Sequence, residues 1–259
     1  MIPKQAYHPI KSKYPGELHY FSTIALLISL MFIFQLNYGQ LKNHEKESYL
    51  WFDEVMGTEN INLYNGLNYI EKYKTKNGNH KFFNSENTLP NSVIVYEGQP
   101  YYNVKIKYDS FEDQVLVISS KVIQLIPEHV SSFTIGKNRF VYIDTVNHDT
   151  RFIPGFYEII SETPSYTLYK KHRKKIIKRI EQNTRYFEFF DDNQYYVNYL
   201  DAYHKIKTKR DVLKIFPTFK KEIKANSKKI PHKFDIETYL RNTLPKINFI
   251  KSETPNLEQ

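Results

Sequence analysis

The chain has 259 residues, with Lys+Arg 37 against Asp+Glu 28, a formal net charge of +9, and no cysteine. This excludes a disulfide framework, a thiolate metal site and a cysteine nucleophile. With 8 glycines in all, a phosphate-cradling loop has little to be built from, while a chain of this length buries roughly 70% of its unfolded surface and needs no covalent staple.

Residues 21–34 carry no charge. As a helix they would span about 21 Å, short of the ~30 Å of a bilayer's hydrocarbon core. Lys4, Lys11 and Lys13 precede them, and Asn37, Tyr38, Gly39 and Gln40 follow. The pattern predicts a signal peptide over residues 1–39, cut before Gln40; an uncleaved anchor is the alternative. The end Tyr38-Gly39-Gln40 is similar to that of exported proteins of Gram-negative bacteria. Export to the periplasm follows, with outer-membrane association or release as further destinations and no transmembrane span after cleavage.

Residues 40–204 read as an antiparallel β-rich body. Asn65-Gly66 is a hairpin-type turn signal, and residues 74–91 are loop-like with Phe82 and Phe83 tucked inward. Residues 92–96 form a strand. In 101–108 the side chains of Tyr102, Val104, Ile106 and Tyr108 share one face, and Asn103, Lys105 and Lys107 the other, the period of a half-buried strand. Residues 109–113 turn the chain, and 114–119 return it. Further strands are expected at 121–126, 130–135 and 139–144. Residues 156–161 pair with 166–170, and 186–190 with 195–199.

Residues 205–250 form a basic helical region packed on the body, and 251–259 a tail. Thr208 with Asp211 three residues on is a helix start, and Pro217 ends that helix. A second helix covers 219–229, and a third runs from Asp235 to Pro245. The fold class is α+β, mainly antiparallel β (meander, sandwich or open barrel) with two or three C-terminal helices.

Charge is segregated along this chain. Residues 170–180 hold seven basic residues and no acid, and residues 205–229 hold ten against Asp211 and Glu222. Lys171, Arg173 and Lys174 in the first run, and Lys220, Lys221 and Lys224 in the second, are the candidate binding residues of a basic surface. The partner this suggests is an acidic envelope surface, either a protein or anionic lipid headgroups. A nucleic-acid partner is not expected, since no recognition motif is present.

Catalytic signatures are absent: no nucleophile elbow, zinc-protease motif, Walker loop or dinucleotide fingerprint occurs, and no cofactor or metal site is expected. Asp109, Glu112 and Asp113 could hold a hard cation, but they sit where a hairpin must turn, and Asp favours turns for its own reasons. The turn is the preferred reading. The many tyrosines at alternating positions, Tyr108, Tyr157 and Tyr195 among them, read chiefly as sheet packing.

Two blocks, Tyr102-Asn-Val-Lys-Ile-Lys-Tyr-Asp-Ser-Phe-Glu-Asp-Gln-Val-Leu-Val117 and Lys207-Thr-Lys-Arg-Asp-Val-Leu-Lys-Ile-Phe-Pro-Thr-Phe-Lys-Lys-Glu-Ile-Lys224, carry a resemblance. With the signal peptide they resemble exported β-rich proteins of unknown function from Gram-negative bacteria. The resemblance implies secretion and architecture and brings no catalytic residues. The expectation is a non-enzymatic envelope protein with a structural or interaction role, docking through a basic helical surface. The alternatives are a periplasmic carrier of a lipid or other apolar ligand and, third, a carboxylate-dependent hydrolase.

Overall fold

The computed structural model describes residues 44–57, 61–76, 78–84, 89–144, 153–227 and 235–247. The proposed signal peptide, residues 1–39, and the tail, 251–259, lie outside them. The chain divides into two compact units, 1–52 and 53–259. Residues 44–56 are helical, although they fall where a β-rich body was expected. No helix among the described residues is long and apolar enough to cross a membrane.

The second unit is built on an eleven-stranded sheet in which neighbouring strands are antiparallel. In chain order the strands are β1 (Leu67–Asn68), β2 (Leu89–Tyr96), β3 (Gln99–Asp109), β4 (Gln114–Ile118), β5 (Val122–Gln124), β6 (Val130–Ile135), β7 (Asn138–Ile143), β8 (Gly155–Glu162), β9 (Tyr166–Lys171), β10 (Lys174–Glu181), β11 (Thr184–Asp191), β12 (Gln194–Tyr199) and β13 (Ala202–Ile206). The sheet runs β1-β5-β4-β3-β2-β6-β7-β8-β9-β12-β13 and does not close on itself; β10 and β11 form a separate two-stranded ribbon. The mainly antiparallel α+β architecture is the one the strand spacing implies.

Three local readings differ. Asn65-Gly66 is not a hairpin turn: Asn62–Tyr64 is a 3-10 turn and Leu67 pairs with Gln124. Gly66 is there for close approach, since a Cβ would lie 2.5 Å from the Gln124 carbonyl oxygen. In β3, Val104, Ile106 and Tyr108 are buried as their alternation requires, but Tyr101, not Tyr102, joins them. Ser92 pairs with Val104 and Ile94 with Tyr101, so β3 carries an extra residue at a bulge; Asn103, at φ 57°, supplies the left-handed kink and flips the phase. Finally, residues 186–190 do not pair with 195–199. They belong to β11, which pairs with β10, while β12 lies between β9 and β13.

Side chains of β2–β8 make one core, in which Phe133 and Phe140, directly opposite across β6 and β7, stack with centroids 4.6 Å apart. The other half of the sheet is covered by three helices, α1 (Lys209–Ile215), α2 (Lys220–Ser227) and α3 (Ile236–Thr243). Their Val212, Ile223, Tyr239 and Leu240 bury against Tyr166, Leu168, Tyr195 and Val197. The alternate residues of those strands, Tyr169 and Tyr196, meet Tyr157 and Tyr203 in a separate cluster. Period-two alternation thus gives β9 and β12 two apolar faces, and tyrosines pack on both of them.

Candidate functional site: a basic helical face and a polar cleft

The β3–β4 turn is a structural hub. Asp109 Oδ1 accepts from the backbone amides of Phe111 and Glu112, each at 3.0 Å, and Oδ2 pairs with Lys81 Nζ at 3.0 Å. Burial raises the Asp109 carboxyl above its ordinary range against the pull of those amides and Lys81. Lys81 is itself buried, also meets Tyr69 and Glu71, and lies over the Tyr73 and Phe82 rings. Burial works against its charge, yet these partners hold its pKa above the usual lysine range. Glu112 accepts from the Tyr73 hydroxyl at 2.9 Å. Asp113 accepts from the Tyr108 hydroxyl at 2.6 Å and pairs with Lys171 at 2.5 Å. All three acids are thus committed to protein donors. Among the described residues no group of three or more His, Asp or Glu is placed to hold a metal ion.

Lys171 therefore leaves the basic surface assigned to it. Its side chain is 3% exposed, and burial lowers its pKa although Asp113 opposes the shift. Gly155 makes room for the pair: a Cβ there would overlap both the Asp113 carboxylate and the Lys171 ammonium.

The rest of the 170–180 run is also largely neutralised, because the acids that meet it come from elsewhere in the chain. Lys170 pairs with Glu237 on α3 at 2.7 Å, Lys174 with Asp191 at 2.9 Å, Lys175 with Asp192 at 2.8 Å, and Arg179 with Glu188 at 2.9 Å. Lys174 and Asp191 are directly opposite in the ribbon's register. Only Arg173 and Lys178 of the seven make no ion pair among the described residues. Glu237 also accepts from Tyr195 and Arg241. Burial pushes its carboxyl up, but those donors and Lys170 outweigh it and hold the pKa at about 2. That cluster fastens α3 to the sheet.

The helical run behaves differently. Asp211 Oδ2 accepts from the backbone amides of Lys207 and Thr208 at 3.0 and 2.8 Å, fixing the start of α1. Val212 and Phe216 then face the core, while Arg210 and Lys214 are exposed four residues apart. On α2, Phe219 before the helix and Ile223 within it are buried, and Lys220, Lys221 and Lys224 are exposed within about 100° of arc at 3.6 residues per turn. Among the described residues these five cations make no ion pair. The buried side chains fix the helices in place, so the cations sit on a rigid mount.

A cleft of about 450 Å³ opens between residues 78–84, the end of β9 and the β10–β11 ribbon. Its wall is mostly polar and includes His172, whose Nε2 lies 2.6 Å from Glu158 Oε2. Burial lowers the imidazole's pKa despite that contact. Glu158 remains a carboxylate: burial raises its pKa, but hydrogen bonds from His172 and Asn138 bring the balance below the ordinary value. Neutral His172 therefore donates from Nε2.

Comparison with protein-family models, with curated proteins and with solved structures finds no match in any of the three.

Sequence reasoning missed the cleft altogether, because its residues come from segments separated by up to about a hundred positions. It singled out Lys220, Lys221 and Lys224, which the fold does bring together on one exposed helix face. It also singled out Arg173 and Lys174, which lie half-buried at the base of the ribbon.

Proposed function

We propose that the protein is exported and acts in the cell envelope as a non-enzymatic docking protein, holding to anionic lipid headgroups through the exposed lysines of α1 and α2. The observation that carries this reading is the contrast between the two basic stretches. The 170–180 run is matched by carboxylates within the molecule, whereas Arg210, Lys214, Lys220, Lys221 and Lys224 face solvent from helices anchored by Val212, Phe216, Phe219 and Ile223. The chain's basic residues are 30 Lys and 7 Arg. Lysine is a hydrated point charge suited to a diffuse anionic surface, where planar bidentate recognition would call for arginine. Each such cation contributes about 1 kcal/mol near an anionic leaflet. Export is supported by the uncharged stretch 21–34 behind Lys4, Lys11 and Lys13. The polar walls of the cleft favour this reading over a carrier of apolar ligands.

The test is fractionation of cells producing the protein with Lys220→Glu, Lys221→Glu and Lys224→Glu together. The native protein is expected in the membrane fraction and the triple variant in the soluble fraction. Unchanged partitioning of the folded variant would overturn the docking.

A further inference from the structure

Hairpins of this sheet and ribbon close through two residues at Glu97-Gly98 after β2, Gly136-Lys137 after β6, Gln182-Asn183 after β10 and Leu200-Asp201 after β12. Turns this tight put one or both residues in the left-handed region, which glycine and asparagine tolerate and an aliphatic side chain does not. The first three carry glycine or asparagine, and the fourth departs from that rule. Leu200 has φ 52° and Asp201 φ 56°. Aspartate tolerates such a backbone, whereas asparagine or glycine at position 200 would relax the turn. The Leu200 side chain is 79% exposed, more than any other large hydrophobic among the described residues. It therefore serves neither the turn nor the core, and strain kept at such a position points to a use outside the fold.

The turn has a defined neighbour. Tyr199, just before it, pairs with Tyr166 of β9, and its ring meets Phe216 at the end of α1 with centroids 4.7 Å apart. A cleft of about 540 Å³ is walled by Leu200 and Asp201, by residues 163–167 and by Thr218. Thr218 stands two residues before Lys220. The exposed leucine thus lies beside the α1–α2 corner, where the lysines that make no ion pair among the described residues begin.

We propose that Leu200 inserts into the lipid bilayer held by the helical lysines, its side chain entering the boundary between headgroups and acyl chains. The inference rests on the docking reading above and adds an apolar contact to it. An anionic bilayer supplies negative headgroups for Lys220 and Lys221 and hydrocarbon for Leu200 in one surface. A free anion would satisfy the lysines and leave the leucine in water. Salt screens the attraction of the lysines, but it does not screen the burial of an aliphatic side chain. The Asp201 carboxylate next to it limits the depth to the interface.

The chain has no cysteine, so Leu200→Cys gives a single site for an environment-sensitive NBD label, with Gln182→Cys in the ribbon turn as the control. The protein purified from cell envelopes is mixed with phosphatidylglycerol-containing vesicles. Emission from position 200 should brighten and shift to the blue, and emission from position 182 should stay that of water. Leu200→Asn should weaken partitioning into these vesicles roughly tenfold. Its thermal midpoint should equal or exceed the native one, because asparagine suits the turn, so that loss cannot come from unfolding. Insertion alone is overturned if the native protein binds through its lysines while the label at 200 stays aqueous, if both labels respond equally, or if Leu200→Asn binds as the native protein does. No binding to these vesicles by the native protein would overturn insertion and docking together.

Discussion

His172 and Lys171 are adjacent and both buried, but they meet burial differently. Lys171 finds a carboxylate fifty-eight positions away, in Asp113, together with the Pro154 carbonyl. His172 stays neutral and donates to Glu158, with the Phe83 and Phe140 rings around it. Burial sets the direction of the imidazole's shift, below its ordinary value of 6.5. In the unfolded chain the ring takes up a proton as pH falls through about 6.5, while the folded protein refuses it until lower pH. Stability contributed by the neutral ring is therefore complete above that pH and lost below it. The thermal midpoint should fall between pH 7 and pH 5, and His172→Gln should flatten that slope. An equally steep slope in the variant would place the titration elsewhere. None of this was legible in the sequence, because a Lys-His pair inside a basic run reads as a solvated face until the distant acids are known.

At the scale of elements, legibility follows burial. The alternation of β3 is readable because Val104, Ile106 and Tyr108 face a core while Asn103 and Lys105 face solvent. Its phase error at Tyr102 arises from one bulge residue, which periodicity cannot anticipate. The starts of α1 and α3 are readable from Asp211 and Asp235, whose carboxylates accept backbone amides. β10 is unreadable for the opposite reason. Both faces of Lys174–Glu181 are largely exposed, so no selection for alternation marks the strand or its register. The ribbon is tied down through β11, where Phe187 and Phe189 pack edge-on around Tyr73 at 5.3 and 5.5 Å. Phe189→Ala should cost about 3 kcal/mol or more. Hydrogen exchange should show lost protection at 174–191 while β6 and β7 stay protected. Protection kept throughout the ribbon would mean that its own ladder, rather than this aromatic anchor, holds it.

For the whole molecule, the linear charge map misleads by half. Two basic stretches look alike along the chain, yet folding brings carboxylates to one and leaves Arg210, Lys214, Lys220, Lys221 and Lys224 of the other without an ion pair among the described residues. Glu188, Asp191 and Asp192 return against the first run because β11 doubles back on β10, and Glu237 reaches it from α3. Nothing comparable is brought over α1 and α2 among the described residues. Exposed charge of this kind acts over a screening length of about 8 Å at physiological salt, so attraction to an anionic surface should weaken steeply as salt is added. The difference between the stretches provides an internal control for the central claim.

The direct measurement is co-sedimentation with phosphatidylglycerol-containing vesicles, with phosphatidylcholine vesicles as reference. Two charge-reversed variants would be compared: Lys220, Lys221 and Lys224 to Glu on the helix, and Lys175, Lys178 and Arg179 to Glu on the ribbon. At about 1 kcal/mol per lysine, the helical variant should lose roughly a hundredfold or more in anionic-vesicle partitioning, and the ribbon variant far less. Equal losses in the two variants, or partitioning indifferent to lipid charge, would contradict the account.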